Sequence, residues 1–249
     1  MSRPRAAAIV SLVLFDIDGT LISAFGAGLR SLQEAFGEVF ERPDAAGSLP
    51  PHWFAGRNDL WIFREVALAV GVPASDYERR YPELEAAYLR RLRENMRSWK
   101  GARVLPGVRE LLEKLSSDGD GGRDLGLVTG NLEEGARIKL SAFGLEGFFP
   151  AGGYGTDAAE RQEIARIARL RFERRKGRSF PPGEIALVGD TVHDIIAATA
   201  CGYRSVAVAT GTTPSSALAA TAPDLLMEDL SDPAPLLELL GARPDPDDS

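Results

Sequence analysis

Short apolar segments recur along the chain, and helix-like segments separate them. The apolar segments, each bounded by glycine, aspartate or proline, are Ile9–Phe15, Leu125–Val128, Ile185–Val188, Ser205–Ala209 and Asp224–Met227. The segments with helical spacing are Val108–Leu115, Leu132–Ala142, Arg161–Arg174 and Asp194–Ala200. Because buried strands that alternate with helices build parallel sheets, this order predicts a doubly wound α/β fold.

A long interval, residues 22–104, separates the first two predicted strands. It is too long for a single crossover connection. Its own helix-like segments are Leu29–Phe40, Asp59–Val70 and Tyr77–Met96. An inserted helical domain explains this interval, and residues 1–21 and 105–249 then form the α/β core.

Composition excludes several kinds of partner. The formal net charge of −7 argues against nucleic acid or an acidic membrane surface, since a polyanion requires a basic surface. One cysteine and two histidines exclude a disulfide framework and a zinc cluster. No segment approaches the about 20 apolar residues of a membrane span. We expect a cytoplasmic protein with a small-molecule partner, and its oligomeric state stays open.

Two carboxylates follow the first predicted strand, in the segment Asp16-Ile17-Asp18-Gly19-Thr20-Leu21. In open α/β sheets, ligands bind beyond the carboxyl ends of strands. Residues i and i+2 of an extended chain point the same way, so Asp16 and Asp18 should face one site. Close carboxylates repel each other, and a divalent cation would relieve that repulsion. An ordinary Asp-Gly turn is the alternative.

This segment resembles the first motif of phosphatases of the haloacid dehalogenase superfamily. The resemblance implies a Rossmann-like core with a helical cap, and magnesium-dependent hydrolysis of a small phosphorylated metabolite such as phosphoglycolate. Asp16 would form an aspartyl-phosphate, and Asp18 would act first as general acid and then as general base. The presence of Asp18 argues against a dehalogenase, because a halide leaving group needs no acid.

The segment that ends the second predicted strand resembles the second motif of this superfamily. It reads Val128-Thr129-Gly130-Asn131. The resemblance implies that Thr129, Gly130 and Asn131 bind the phosphoryl group. A threonine that caps the following helix is the alternative, and a helix N-terminus is itself an anion site.

Gly189-Asp190, with Asp194 four residues after the first aspartate, resembles the fourth motif. It implies a Mg2+ site formed by Asp16, the backbone carbonyl of Asp18, Asp190 and Asp194, since magnesium prefers oxygen ligands. The superfamily differs in whether the second aspartate touches the ion, so Asp190 is the stronger candidate. A helix cap followed by a solvated aspartate is the alternative.

The lysine of the third motif, often followed by proline in the superfamily, has no counterpart at the expected place. Arg161, at the start of a predicted helix, is the best substitute because a guanidinium can bind phosphate bidentately. A surface arginine is the alternative. Lys139, on the helix after the second motif, and Lys176, in a basic run, are weaker candidates.

The segment Phe54-Ala55-Gly56-Arg57-Asn58-Asp59 resembles a loop that enters the active site in phosphoglycolate phosphatase-like members. The resemblance implies that Arg57 and Asn58 contact the leaving group, for instance a carboxylate. A helix-capping turn at Asn58 or Asp59 explains the same residues.

Two other functions remain open. A phosphomutase shares these motifs, and the absent lysine leaves a non-catalytic phospholigand-binding protein as an alternative. The letters Gly153-x-Gly155-x-x-Ala158 match a dinucleotide fingerprint, but no convincing strand precedes them. His193 is interpreted as a loop or helix-start residue.

Overall fold

A computed structural model describes residues 9–24, 26–48, 54, 56–98, 100–117 and 122–241. Its strands in chain order are β1 (Leu12–Phe15), β2 (Ile22–Ser23), β3 (Arg103–Val104), β4 (Asp124–Val128), β5 (Gly152–Gly153), β6 (Ile185–Gly189), β7 (Arg204–Val208) and β8 (Leu225–Met227). Residues 1–8 and 242–249 of the predicted core, and Ala55, lie outside the described residues.

Helices make up most of the remaining regular structure. They are α1 (Ala27–Phe40), α2 (Asp59–Ala69), α3 (Ala74–Ser98), α4 (Val108–Ser117), α5 (Glu133–Ser141), α6 (Arg161–Lys176), α7 (Val192–Cys201), α8 (Ser215–Ala220) and α9 (Ala234–Leu240). Among the described residues, no helix combines the length and apolar character that crossing a membrane requires.

One parallel sheet of six strands forms the centre, in the order β5-β4-β1-β6-β7-β8. The chain runs outward from β1 to β5, then returns to β6 on the other side of β1 and runs to β8. The reversal lies between β1 and β6, where Phe15 pairs with Val188. In doubly wound sheets, ligands bind at such a reversal.

Both faces of the sheet are covered, as the residues of β1 show. Val13 and Phe15 belong to a large apolar cluster that includes residues of α1, α3, α4 and α5. Leu12 and Leu14 belong to a second cluster with residues of α6 and α7, among them Phe172. Alternate residues of a strand point to opposite faces. β1 is apolar throughout because both of its faces are buried. The predicted doubly wound α/β fold is confirmed.

Helices α1 to α3 form a helical insert, which we define as the described residues between β2 and β3. β2 and β3 pair antiparallel, with Ile22 opposite Val104, so the insert leaves and returns at one place. The ring of Phe63 on α2 meets Tyr88 on α3 edge to face, with centroids 4.8 Å apart. The insert shares the large apolar cluster with the sheet and therefore packs on it.

The predicted helices and strands all occur, with ends shifted by a few residues. Three strands were not predicted: β2, β3 and β5 each have only two residues, too few to show periodicity. A Cβ on Gly153 would lie 2.2 Å from the carbonyl oxygen of Ile164, so glycine lets β5 approach α6. Helices α8 and α9 were also missed.

Candidate active site

The three central strands end in the side chains that the motifs singled out. Asp16 follows β1, Thr129 follows β4, and Asp190 follows β6. Because β4, β1 and β6 are parallel neighbours, these side chains meet at the carboxyl edge of the sheet. The Asp16 amide donates to the carbonyl of Val188 at 2.9 Å, which ties the start of the first motif to β6.

A buried cluster of carboxylates lies at this edge. Asp16, Asp190 and Asp194 each place a ligand oxygen within 4.8 Å of the others. Arg161, the first residue of α6, is buried beside them; its Nη2 lies 3.1 Å from Asp16 Oδ2 and 2.7 Å from Asp194 Oδ1. The guanidinium therefore bridges the first and fourth motifs, and the alternative of a surface arginine is wrong.

The carboxylates carry more negative charge than Arg161 offsets. Burial raises the pKa of Asp16 to about 7, Arg161 opposes that shift, and Asp194 adds to it. Burial, together with Asp16 and Asp194, raises the pKa of Asp190 well above its ordinary range. A divalent cation at this place would offset the surplus charge.

Asp190 and Asp194 differ in how many protein donors they already engage. Asp194 Oδ1 accepts from Arg161, and its Oδ2 accepts from the hydroxyl of Thr191 at 2.6 Å and the Thr191 amide at 3.1 Å. Asp190 Oδ1 accepts from Thr20 at 3.2 Å, and its Oδ2 accepts no hydrogen bond from the described part of the chain. Asp190 therefore presents the freer oxygen.

Two glycines make room for the Asp190 side chain. A Cβ on Gly19, whose φ is +86°, would lie 2.4 Å from Asp190 Oδ2, and a Cβ on Gly211 would lie 1.7 Å from the same oxygen. Gly19 belongs to the first motif, whereas Gly211 follows β7 and was not predicted as part of the site. No chemical group marks Gly211 in the sequence, because its role is to leave space.

A second polar cluster surrounds Asp18. Asp18 Oδ2 accepts hydrogen bonds from Asn131 Nδ2 at 2.8 Å and from Lys139 Nζ at 2.6 Å. Asn131 Nδ2 also donates to Thr129 Oγ1 at 2.7 Å, and Asn131 Oδ1 accepts from Lys139 at 2.6 Å. The second motif is thereby joined to the first, and Lys139 contacts Asp18 rather than Asp16.

Lys139 is buried, and its charge is balanced by acidic neighbours. Burial lowers its pKa, but Asp18 and Asp59 outweigh that effect and hold the pKa above its ordinary value. Lys139 is therefore an ammonium at neutral pH.

The segment before α2 caps that helix and contacts the loop before α6. Asn58 is the N-cap of α2: its Oδ1 accepts from the Trp61 amide at 2.7 Å, and its Nδ2 donates to the carbonyl of Ala159 at 3.3 Å. The capping alternative for Asn58 is therefore confirmed. Arg57 is exposed and lies over the Trp61 ring, 4.7 Å from its centroid. Contact of either residue with a leaving group stays a prediction.

Asp59, which the sequence indicated only as the end of the loop motif and a possible helix cap, contacts the second motif. Its amide donates to the carbonyl of Gly130 at 2.8 Å, and its Oδ2 accepts from the Leu132 amide at 2.8 Å. Burial raises its pKa to about 6, while Lys139 opposes that shift. Asp59 thus connects the insert to the loop between β4 and α5.

The other sequence candidates have structural explanations. His193 is the second residue of α7, as predicted, and a Cβ on Gly56 would lie 2.4 Å from its ring. The first of the dinucleotide-like glycines, Gly153, lies within the two-residue strand β5 and does not follow a strand. A Cβ on Gly155 would lie 2.1 Å from the carbonyl oxygen of Gly130, so Gly155 permits close packing of two loops.

The fold and this edge define an α/β enzyme with an acidic, partly cationic active site. The sequence profile of the haloacid dehalogenase-like hydrolases matches residues 13–208. The chain belongs to that family, so the predicted superfamily and the enzyme class of hydrolase are confirmed.

Similar proteins extend over nearly the whole chain. Phosphoglycolate phosphatase 1 of Pseudomonas aeruginosa is 27% identical over 241 residues, covering 96% of this chain and 84% of its own. Pyrophosphatase PpaX of Bacillus velezensis is 24% identical, covering 94% and 98%. The crystal structure of a predicted phosphoglycolate phosphatase from Haemophilus somnus superposes with a TM-score of 0.67 at 25% identity, covering 91% and 97%.

Proposed function

We propose that this hydrolase is a magnesium-dependent phosphatase that cleaves a small phosphomonoester through an aspartyl-phosphate on Asp16. The observation that carries the proposal is the buried arrangement of Asp16 with Arg161, Asp190 and Asp194 at the reversal of the sheet. A hydrolase of phosphoric monoester bonds is also the class to which the named phosphoglycolate phosphatase belongs.

The residues present fit a magnesium ion. Magnesium prefers oxygen ligands, and a divalent cation would stabilise the ionised forms of Asp16 and Asp190, whose pKa values are raised first by burial and then by neighbouring carboxylates. Asp16, the backbone carbonyl of Asp18, Asp190 and Asp194 would hold it, with Asp190 the freest protein ligand. When bound, magnesium would neutralise negative charge on the phosphoryl oxygens.

In the first half-reaction, a carboxylate oxygen of Asp16 attacks phosphorus. The new oxygen–phosphorus bond forms as the bond to the leaving oxygen breaks, and the leaving oxygen takes that electron pair. Asp18 donates a proton to it. Arg161, Thr129 and the amides of Gly130 and Asn131 stabilise the transferring group, since hydrogen-bond donors lower the energy of its negative oxygens.

In the second half-reaction, water replaces the leaving group. Asp18, now a carboxylate, accepts a proton from the water as the water oxygen bonds to phosphorus. The bond between phosphorus and Asp16 breaks, its electron pair returns to the Asp16 carboxylate, and phosphate leaves.

We propose residues 22–104 as a cap over a core of residues 1–21 and 105–249. The hydrogen bonds of Asp59 to Gly130 and Leu132 support a cap that closes on the phosphate-binding loop. Arg57 and Asn58 would contact the leaving group when substrate is bound. We propose a phosphoglycolate-like substrate. We also propose a cytoplasmic location, because a chain with one cysteine suits a reducing compartment.

The decisive experiment measures phosphate release from a panel of phosphorylated metabolites, with magnesium and with a chelator. We expect magnesium-dependent release by the native chain and none by Asp16→Asn. The exposed Asp44 provides a matched control, so Asp44→Asn should behave as the native chain.

The outcomes separate the remaining alternatives. Transfer of phosphate between positions of one sugar, without release, would establish a phosphomutase. Binding of phosphorylated ligands with no reaction at all would establish a binding protein. The contact of Arg161 with Asp16 favours catalysis, because it supplies the cation whose apparent absence motivated the binding-protein alternative.

A further inference from the structure

Lys139 is a buried cation at the active site that the proposed mechanism does not use. It lies on α5, only 5% exposed, and its Nζ is 2.6 Å from both Asp18 Oδ2 and Asn131 Oδ1. Arg161 already provides the cation beside Asp16. The carboxylate to which Lys139 donates a hydrogen bond is that of Asp18.

The insert encloses the ammonium. A Cβ on Gly28 of α1 would lie 3.8 Å from Lys139 Nζ and 3.8 Å from the Tyr88 hydroxyl, and Tyr88 on α3 is itself buried. Burying a lysine costs free energy that an apolar side chain at this position would avoid. The presence of a buried lysine beside Asp18 is better explained by an effect of Lys139 on Asp18.

The hydrogen bonds at Asp18 are asymmetric. Lys139 Nζ and Asn131 Nδ2 both donate to Oδ2, whereas Oδ1 accepts no hydrogen bond from the part of the chain that the structure describes. Two donors on one oxygen fix the rotation of the carboxyl group. They leave Oδ1 as the oxygen without a protein donor among the described residues, and the Asp18 side chain is 40% exposed.

We propose that Lys139 is a positioning residue that holds Asp18 Oδ2 so that Oδ1 faces the oxygen of the leaving group. This inference rests on the proposed function, because it assumes that Asp18 is the general acid. Positioning by packed supporting residues is worth much in catalysis: a displacement of about 1 Å can cost about a hundredfold in rate.

The test compares two substrates in one preparation of Lys139→Met. An alkyl phosphate has a poor leaving group that needs a proton, whereas p-nitrophenyl phosphate has a good leaving group that does not. The ratio of their kcat/KM values reports the first half-reaction alone and does not depend on the fraction of folded enzyme. The alkyl phosphate is the one that the native chain hydrolyses best in the panel above.

We expect Lys139→Met to lower kcat/KM for the alkyl phosphate about tenfold more than for p-nitrophenyl phosphate, in the same direction as Asp18→Asn. Lys139→Gln keeps a donor and should fall between, and it serves if the methionine variant does not fold. Lys176→Met, at a half-exposed lysine that pairs with Asp124, should leave the ratio unchanged.

Two results would overturn the proposal. An equal loss for both substrates would make Lys139 structural, and a higher KM for the alkyl phosphate at unchanged kcat would make it a substrate ligand. Failure of the proposed function looks different, because the native chain would then release no phosphate from any substrate or Asp16→Asn would remain active.

Discussion

At the scale of single residues, the active site is a balance of buried charges. Arg161 faces Asp16 and Asp194, whereas Lys139 faces Asp18, so each cation pairs with different carboxylates. Guanidinium and ammonium are not interchangeable here, because Arg161 contacts two carboxylates at once, Asp16 through Nη2 and Asp194 through Nη2 and Nε, whereas Lys139 acts as a compact charge. The remaining negative charge is the basis for a prediction about metal and pH.

The stability of the metal-free protein should fall as the pH rises from about 4 to about 7. Burial raises the pKa of Asp16 to about 7 from 3.8, so in this window the folded state binds more protons than the unfolded state. Magnesium binds the ionised carboxylates, and it should therefore raise the melting temperature more at pH 8 than at pH 5.

Thermal unfolding at both pH values, with magnesium or chelator, tests this expectation. Asp16→Asn removes the titrating group, so without metal it should lose less stability than the native chain between pH 5 and pH 8. A magnesium effect of equal size at both pH values would contradict the prediction.

At the scale of elements, close approach between β5 and α6 places Arg161 at the carboxylate cluster. Both residues of β5 are glycines, and Arg161 is the first residue of α6. A helix that packs so near a strand transmits small displacements to its ends, since packed interiors leave little free volume. The edge strand therefore affects the position of Arg161 although it has no catalytic group.

Gly153→Ala should lower both stability and activity. The added Cβ would lie 2.2 Å from the Ile164 carbonyl oxygen, which forces α6 away from the sheet, at a cost of about 1–3 kcal/mol. Urea unfolding and phosphate release measure the two effects. Gly147→Ala is the matched control because a Cβ there meets nothing within 4 Å, and an equal effect of both variants would reject the explanation.

At the scale of the whole molecule, the insert and the sheet meet through Asp59. This carboxylate from α2 accepts from the Leu132 amide at the start of α5, and the backbone of Asp59 bonds to Gly130. It also balances the charge of Lys139. One residue thus contacts the insert, the loop between β4 and α5, and the charge of Lys139.

Asp59→Ala should destabilise the protein by about 2 kcal/mol. The change removes a buried hydrogen bond to a helix N-terminus and leaves the Lys139 charge with less compensation. Denaturant unfolding measures the loss. Asp76→Ala is the control, since Asp76 lies in the first turn of α3 and its ion pair with Arg79 is exposed. A similar loss for both variants would show that Asp59 does not couple the two parts.

Much of the fold followed from local patterns. The strands that end at Asp16, Thr129 and Asp190 are apolar runs bounded by polar residues, and such runs predict buried strands without any knowledge of their partners. The family followed from the same residues, because the first, second and fourth motifs place chemical groups at strand ends. Asp18 and Asn131 were also named in advance, although their hydrogen bond was not.

The sequence by itself determined the order of elements, the fold class, and the groups that follow each central strand, because periodicity and chemical type are local properties. Only the tertiary structure decided that Arg161 faces Asp16, that Lys139 and Asp59 belong to the site, and that Gly211 makes room for Asp190. These are contacts between residues that lie far apart in the chain. Their geometry depends on how helices pack on the sheet, and no local pattern records that packing.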